Sequence, residues 1–248
     1  MDVVIPCSLD DIPMLRLCIE GLRRNVNEIG KIIVIGKDCS PFRMFCKKNW
    51  LFFVDEVEFM GYGKDDINIC RPRRAGWLYQ QLIKLNAANL VQSDNFLVMD
   101  ADHVLLKPHT FISDGKWNFY TSEEYHKPYF LAINNLFNGK YDKICEKSFI
   151  SDKMVFNKSM LAAMKDEIEK CCKESWDKAI INNYVNSNSG FSEFETYGTW
   201  VYSNYKDKCQ LYRDGRCRVQ KKENIRTMTY NEIGYRFNGY MSITELKL

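Results

Sequence analysis

The sequence predicts a single α/β domain in which a mixed, mostly parallel sheet of the Rossmann-like kind is flanked by helices. Three observations predict it. Short runs of β-branched residues alternate with amphipathic helical patterns in the first half of the chain. The length of 248 residues fits one large domain. No internal repeat, low-complexity stretch or Pro/Gly-rich linker divides the chain, so we expect one domain over residues 1–248.

The first half predicts four strands and two helices in the order strand, helix, strand, strand, helix, strand. The strands are expected at residues 3–5, 31–35, 52–59 and 95–99, and the helices at 10–25 and 75–90. The second helix has the stronger pattern, because Leu78, Leu82 and Leu85 fall on one face. Ligands of open parallel sheets bind at the carboxyl ends of the strands. The turn after the first strand and the residues after the fourth should therefore meet at one rim.

The second half of the chain is less regular. We expect strands at residues 111–120 and 129–133, and helices at 159–173 and 176–185. Residues 190–205 form a dense acidic and aromatic segment, and the chain from residue 218 onward suggests strands and turns with basic side chains.

Composition argues against several classes of protein. The net charge of +3 is too small to indicate a nucleic-acid partner, since such proteins concentrate basic residues on one face. The ten cysteines contain no CxxC pair and the three histidines do not stand at zinc-site spacing, which predicts free thiols in a reducing cytoplasm. Residues 1–8 lack the pattern of a signal peptide. No apolar run reaches the ~20 residues of a membrane span, so we expect no transmembrane segment.

The acidic pair Asp100 and Asp102 is the first candidate site. It is the only Asp-x-Asp triplet in the chain, and it stands between apolar runs at 95–99 and 104–106. Two carboxylates between buried segments are costly unless a positive charge compensates them. Alternate residues at a strand end point to the same side, so both could share one cation. Hard oxygen ligands suit Mg²⁺ or Mn²⁺, which bridge to substrate phosphates; an acidic turn capped by backbone amides or paired with Arg or Lys is the structural alternative.

The order of these motifs resembles the nucleotide-binding half of glycosyltransferases with the GT-A fold. The opening strand with Pro6, the strand at 31–35 and the strand that ends in Asp100-Ala101-Asp102 follow one another in that order. The helix sequence at 75–85 and the segment 192–198 are similar to motifs of a poorly characterised branch of that superfamily, found in bacteria and large DNA viruses. The resemblance covers residues 1–205 and does not extend to the identity of the sugar.

The resemblance implies a metal-assisted donor site. Asp102 would bind Mn²⁺ or Mg²⁺, and Asp100 would contact the metal or the ribose. The turn Pro6-Cys7-Ser8 would hold the base and ribose of a UDP- or GDP-sugar. Residues 1–107 would form the donor half and residues 108–248 the acceptor half.

Basic and polar groups upstream of the acidic pair are candidates for binding the diphosphate. The segment 71–74, which ends in Arg74, places three guanidinium groups at a helix N-terminus, although it could also be a solvated basic loop. On the helix, Trp77, Gln81 and Lys84 share a polar stripe, which would face water in a purely structural helix. In the resembling family this stripe borders the donor site, so Gln81 and Lys84 would touch donor hydroxyls or phosphate. His103 could add a metal ligand, but a solvated or backbone-bonded histidine is more common.

Transfer with inversion needs a general base, and Glu193 and Glu195 are the candidates. Ser192-x-x-Glu195 also fits a capping box, which would occupy Glu195 and leave Glu193 as the favoured base. Asp152 is a secondary candidate for acceptor binding. Aromatic residues of the same region could stack on sugars, although they more often belong to the core.

The sequence therefore predicts a metal-dependent glycosyltransferase, with a hydroxyl of a glycan or other molecule as acceptor, in the cytoplasm of its producing cell or of a viral host cell. Two alternatives stay open. A sugar-phosphate nucleotidyltransferase would have a Gly-rich loop after the first strand, where residues 6–11 contain no glycine. A non-catalytic carbohydrate-binding protein on the same fold would bind glycans without breaking down a donor.

Overall fold

The computed structural model describes residues 1–143 and 147–219, together with the short segment 232–235. Its strands, in chain order, are β1 (Asp2–Pro6), β2 (Ile32–Gly36), β3 (Phe52–Asp55), β4 (Asn95–Met99), β5 (His103–Leu105), β6 (Ile112–Ser113), β7 (Lys116–Thr121), β8 (Lys153–Asn157), β9 (Cys209–Arg213), β10 (Arg216–Val219) and β11 (Glu232–Tyr235). Its α-helices are α1 (Ile12–Asn25), α2 (Ser40–Lys48), α3 (Glu56–Met60), α4 (Ala75–Asn86), α5 (Lys127–Leu136), α6 (Lys158–Cys172), α7 (Trp176–Asn182) and α8 (Glu193–Asn204).

The central sheet has the strand order β3-β2-β1-β4-β8. The first four strands are parallel, and β8 runs antiparallel beside β4. Every residue of β1 and β2 is buried, as expected for a sheet that helices cover on both faces. The predicted fold class, a mixed and mostly parallel sheet flanked by helices in one domain, is confirmed.

Two smaller sheets complete the described chain. One has the order β6-β7-β9 and the other the order β10-β11-β5. The predicted strand at 111–120 corresponds to β6 and β7. Most of the strands and turns expected after residue 218 lie outside the described residues. No helix in the described part of the chain is long and apolar enough to span a membrane.

Two predicted strands are wrong. Residues 129–133 lie in helix α5, because Pro128 occupies its first turn and the apolar residues 129, 130, 132, 133 and 136 are buried at helical spacing. The strand expected at 52–59 ends at Asp55, whose carboxylate accepts the backbone N–H groups of Val57 and Glu58 and caps helix α3. Helix α2 was not predicted.

Helix α8 contains the acidic and aromatic segment and packs deep in the molecule. Its residues 193–201 are all buried. Gly198 permits a close approach, since a Cβ at this position would lie 2.3 Å from Cγ of Phe149. The N-terminus of α8 is thereby held against the chain that leads into β8.

Candidate active site

A cleft of about 490 Å³ opens at the carboxyl ends of the parallel strands. This volume is in the range of small-molecule sites. Several segments that are distant in the sequence line it: Asp11, Arg74, Trp77, Gln80, Gln81, Lys84, Asp100, Ala101, Asp102, Tyr129, Ile150, Asp152, Asn188, Ser189, Ser192, Glu193 and Phe194.

Three segments bring carboxylates to this cleft. Asp100 and Asp102 follow β4, as the sequence predicted. Asp152 precedes β8, and its backbone carbonyl accepts the N–H of Asp100 at 2.9 Å, which places the two residues side by side. Asp11 comes from the turn before α1, where its Oδ2 accepts the hydroxyl of Ser8 at 2.6 Å. Four carboxyl groups thus line one wall.

These carboxyl groups raise one another's proton affinity. Burial and then the charges of Asp100, Asp152 and Asp11 raise the pKa of Asp102 to about 8. Burial also raises the pKa of Asp100, against the opposing effect of Lys84. Ionising all of these carboxyl groups together is therefore unfavourable without a nearby positive charge, and a bound cation would relieve their mutual repulsion.

Lys84 is the buried cation of the cleft. Its side chain is 1% exposed, and its Nζ contacts Asp100 Oδ1, lies 2.7 Å from Glu193 Oε1 and stands 4.5 Å from the ring centre of Phe194. Burial opposes its charged form, but Asp100 and Glu193 outweigh burial and raise the pKa of Lys84 above the usual lysine value. The ammonium group joins the strand that carries the acidic pair to helix α8.

Of the two predicted bases, the structure brings Glu193 to the cleft and leaves Glu195 outside its lining. Glu195 accepts the hydroxyl of Ser148 and the N–H of Phe149 at 3.2 Å, and burial raises its pKa to about 7. The predicted capping box is half formed: Ser192 Oγ accepts the N–H of Glu195 at 3.2 Å, while the Glu195 carboxylate turns to Ser148. Burial raises the pKa of Glu193, with Lys84 opposing the shift.

The turn Pro6-Cys7-Ser8 does not line the cleft directly. Pro6 and Cys7 are buried, and Ser8 is exposed. The turn lies beside the cleft all the same, because Gln80 Nε2 reaches the Pro6 carbonyl at 3.5 Å and Ser8 binds Asp11. Burial raises the pKa of the Cys7 thiol well above its usual value, so the thiol stays neutral.

The basic segment before α4 contributes one guanidinium to the cleft. Arg74 lies over the ring of Trp77 at 4.7 Å from its centre, and both residues line the cleft. Arg71 instead donates to Asn186 Oδ1 at 2.8 Å, and Arg73 is exposed. Gln81, only 4% exposed, lines the cleft beside Lys84. The stripe of Trp77, Gln81 and Lys84 faces this cavity and not bulk solvent.

Several lining residues were not predicted. They include Asp11, Tyr129, Asn188 and Ser189. His126 Nε2 lies 2.8 Å from the Ser189 carbonyl, which ties the turn before α8 to the start of α5. Among the aromatic residues of the acidic and aromatic segment, Phe194 is the one that lines the cleft.

The carboxyl groups of the cleft fit a metal ion that substrate phosphates also bind. Within the described residues, no group of three or more His, Cys, Asp or Glu side chains is arranged to bind a metal ion by itself. His103 is fully buried, with its Nδ1 3.9 Å from Asp152 Oδ2. Asp100 and Asp102 bring two carboxyl groups to the cleft, of which Asp100 also pairs with Lys84, and Mg²⁺ is commonly held by one or two carboxylates together with substrate phosphates. The acidic wall therefore suits a phosphate-bridged cation.

Solved glycosyltransferase structures share this architecture. The galactosyltransferase LgtC in complex with donor and acceptor sugar analogues matches with a TM-score of 0.50 at 12% sequence identity, over 96% of this chain and 88% of that chain. An active-site mutant of LgtC matches with a TM-score of 0.50 at 12% identity, over 95% and 87% of the two chains. Mouse xyloside xylosyltransferase 1 in its apo form gives 0.46 at 10% identity over 88% of each chain. The likeness to LgtC shows that the chain has the GT-A glycosyltransferase fold.

The family follows from the sequence itself. A family profile described as a family of unknown function, DUF6492, matches residues 1–237. The chain belongs to this family. No curated protein matches the sequence.

Proposed function

We propose that this chain is a metal-dependent glycosyltransferase that moves a sugar from a nucleotide-sugar donor to a hydroxyl group of a glycan or other acceptor. The observation that carries the proposal is the placement of Asp100 and Asp102 on the wall of a cleft at the carboxyl end of β4, in a GT-A fold. Burial and the neighbouring carboxyl groups raise the pKa of Asp102 to about 8, and a bound cation would offset both effects.

The two sides of the cleft have complementary tasks in this proposal. Asp102, with Asp100, would hold Mn²⁺ or Mg²⁺; when bound, such an ion supplies neutralisation of the diphosphate leaving group. Arg74 and Gln81 line the same cleft and would bind phosphate or sugar hydroxyls. Lys84 holds Asp100 in place through its buried ion pair, so its contribution to donor binding is mainly indirect.

The acceptor proton would go to Glu193. This carboxylate lines the cleft, is 1% exposed and has a pKa that burial raises, and the rise makes it a stronger base than an ordinary glutamate. A base that activates the acceptor directly gives inversion of the anomeric configuration. Product analysis by NMR should show the inverted anomer; retention would remove this role from Glu193.

Free thiols support a cytoplasmic location. Cys7, Cys18 and Cys46 are buried free thiols, and Cys39, Cys70, Cys171, Cys172 and Cys209 form no disulfide either. Such thiols persist in a reducing compartment.

A thermal-shift panel tests donor binding. UDP-, GDP- and dTDP-sugars are added with and without Mn²⁺, and the bound donor stabilises by RT ln(1 + [L]/Kd). We expect one nucleotide class to raise the melting temperature only with Mn²⁺, and Asp102→Asn to abolish the shift. Asp94→Asn, an exposed residue just before the opposite end of β4, should leave it unchanged. Stabilisation by glycans alone, with no response to any donor, would favour a carbohydrate-binding protein. Pyrophosphate release from a nucleoside triphosphate and a sugar phosphate would favour a nucleotidyltransferase.

A further inference from the structure

An exposed apolar and basic surface lies at the end of the sheet opposite the cleft. Its apolar members are Trp50, Phe52 and Met44, which are 87%, 53% and 63% exposed. Lys47 and Lys48 line the same shallow depression beside them. We call the surface formed by these five residues the Trp50 patch.

Parallel topology explains why the patch forms where it does. Each helix in a β-α-β unit returns the chain to the amino ends of the strands, so the cationic last turns of α1 and α2 gather at that rim. Lys31, just before β2, joins them with its Nζ 5.3 Å from the ring centre of Phe52. Arg23 Nη2 donates to the Asn49 carbonyl at 2.7 Å and fixes the loop that carries Trp50.

Packing within the fold does not explain why a tryptophan stands at position 50. Its side chain is almost fully exposed. Its backbone has φ 56°, a left-handed conformation that residues other than Gly and Asn rarely adopt. Its neighbour Leu51, 9% exposed, and Cys46, 1% exposed, supply the packing that holds the loop. An indole presented in this way on a rigid support is available to a partner.

The cations around the patch are not held in ion pairs. Within the described residues, Lys47, Lys48 and Lys31 form no ion pair with a carboxylate, and neither do Arg23 and Arg24 at the end of α1. An exposed tryptophan and phenylalanine within a cluster of unpaired cations suit a partner whose outer layer is anionic and whose interior is apolar.

We infer that the Trp50 patch docks the protein on an anionic lipid bilayer. Trp50, Phe52 and Met44 would enter the headgroup region, where tryptophan is favoured, and the lysines would face lipid phosphates. The cleft lies at the carboxyl ends of the same strands, so docking leaves it open to the aqueous side. The bound enzyme would then meet a water-soluble donor and an acceptor that reaches above the membrane surface.

Vesicle co-sedimentation tests the inference without any need for activity. The probes are vesicles of equal parts phosphatidylglycerol and phosphatidylcholine, with pure phosphatidylcholine for comparison. We expect the full chain to bind the anionic vesicles at low salt, with weaker binding at high salt. Lys47→Glu combined with Lys48→Glu should weaken binding by at least about tenfold, because each cation near an anionic surface contributes about fivefold. Trp50→Gly, which suits the backbone conformation, should weaken it too.

Matched variants test whether vesicle binding depends on the Trp50 patch or on the overall charge and hydrophobicity of the protein. Lys206→Glu with Lys208→Glu reverses two exposed lysines elsewhere, and Tyr125→Ala removes another exposed aromatic side chain; both should bind as the parent does. An unchanged melting temperature would show that the patch variants are folded. The inference is overturned if the parent protein does not bind anionic vesicles, or if the patch variants bind as tightly as the parent. It is equally overturned if Trp50→Gly abolishes self-association in solution and leaves vesicle binding unchanged, since a second copy would then be the partner.

Discussion

Lys84 and Glu193 stand 109 positions apart in the chain, yet Nζ of the lysine lies 2.7 Å from Oε1 of the glutamate, and both side chains are 1% exposed. The same ammonium group contacts Asp100. One buried cation thus fixes the position of the strand end that carries the acidic pair relative to the helix that carries the proposed base.

Replacing Lys84 by methionine should destabilise the protein strongly. Removal of one partner leaves Asp100 and Glu193 buried without their counter-ion, and such losses are about 3–5 kcal/mol. Urea unfolding followed by circular dichroism measures the change. Adding Glu193→Gln to the variant should recover part of the loss, because one of the two uncompensated charges disappears.

The control for this prediction is Lys140→Met, which breaks an ion pair of the same 2.7 Å length to Glu167. Because Lys140 is 56% exposed, solvent screens the pair and the loss should be far smaller. Equal losses of stability from the two variants would mean that the buried ion pair stabilises the fold no more than the exposed one.

Glu195 should make the stability depend on pH. Burial raises its pKa from 4.5 to about 7 in the folded state. Between these two values the folded protein keeps the proton that the unfolded chain releases, so its contribution to the free energy of unfolding falls as pH rises through that window. Glu195→Gln, which carries no charge in either state, should lack this fall, so its stability relative to the parent should rise by about 3 kcal/mol across the window. The measurement is the difference in free energy of unfolding between variant and parent across that pH range. A difference that does not change with pH would contradict the raised pKa of Glu195.

Gly198 should tolerate alanine poorly even though it lies in a helix. A Cβ there would lie 2.3 Å from Cγ of Phe149, so the ring or the helix must move, at a typical cost of about 1–3 kcal/mol. Gly76→Ala is the matched control, since its Cβ would have ordinary contact with Lys64 at 3.6 Å. The control should gain up to ~1 kcal/mol from helix propensity. Thermal unfolding of both variants compares them; stabilisation by Gly198→Ala would show that the contact is not tight.

The first half of the fold could be predicted because its signals are local. Continuous apolar runs formed β1, β2 and β4, and the leucine stripe formed α4. Short apolar runs gave less information. Residues 129–133 fit a strand or a helix by periodicity alone, and the helix is decided by Pro128 and by packing against the core. The strand expected at 52–59 was too long because the cap at Asp55 was overlooked.

The site could be predicted only where one segment supplies it. Asp100 and Asp102 could be found from their place after β4. Asp152 was ranked low because its proximity to Asp100 depends on the antiparallel pairing of β8 with β4, which no local pattern encodes. The different environments of Glu193 and Glu195 are likewise set by distant residues: Lys84 contacts the first, and Ser148 binds the second.

The central claim is metal-dependent transfer through Asp102, and release of nucleoside diphosphate from the donor identified by thermal shift tests it most directly. The rate is compared with Mn²⁺ and with EDTA, for the parent protein and for Asp102→Asn. We predict release by the parent only with metal, and a rate at least about 100-fold lower for the variant, because charge stabilisation by a metal is worth several kcal/mol. Equal rates in EDTA and Mn²⁺, or full activity of Asp102→Asn, would contradict the claim.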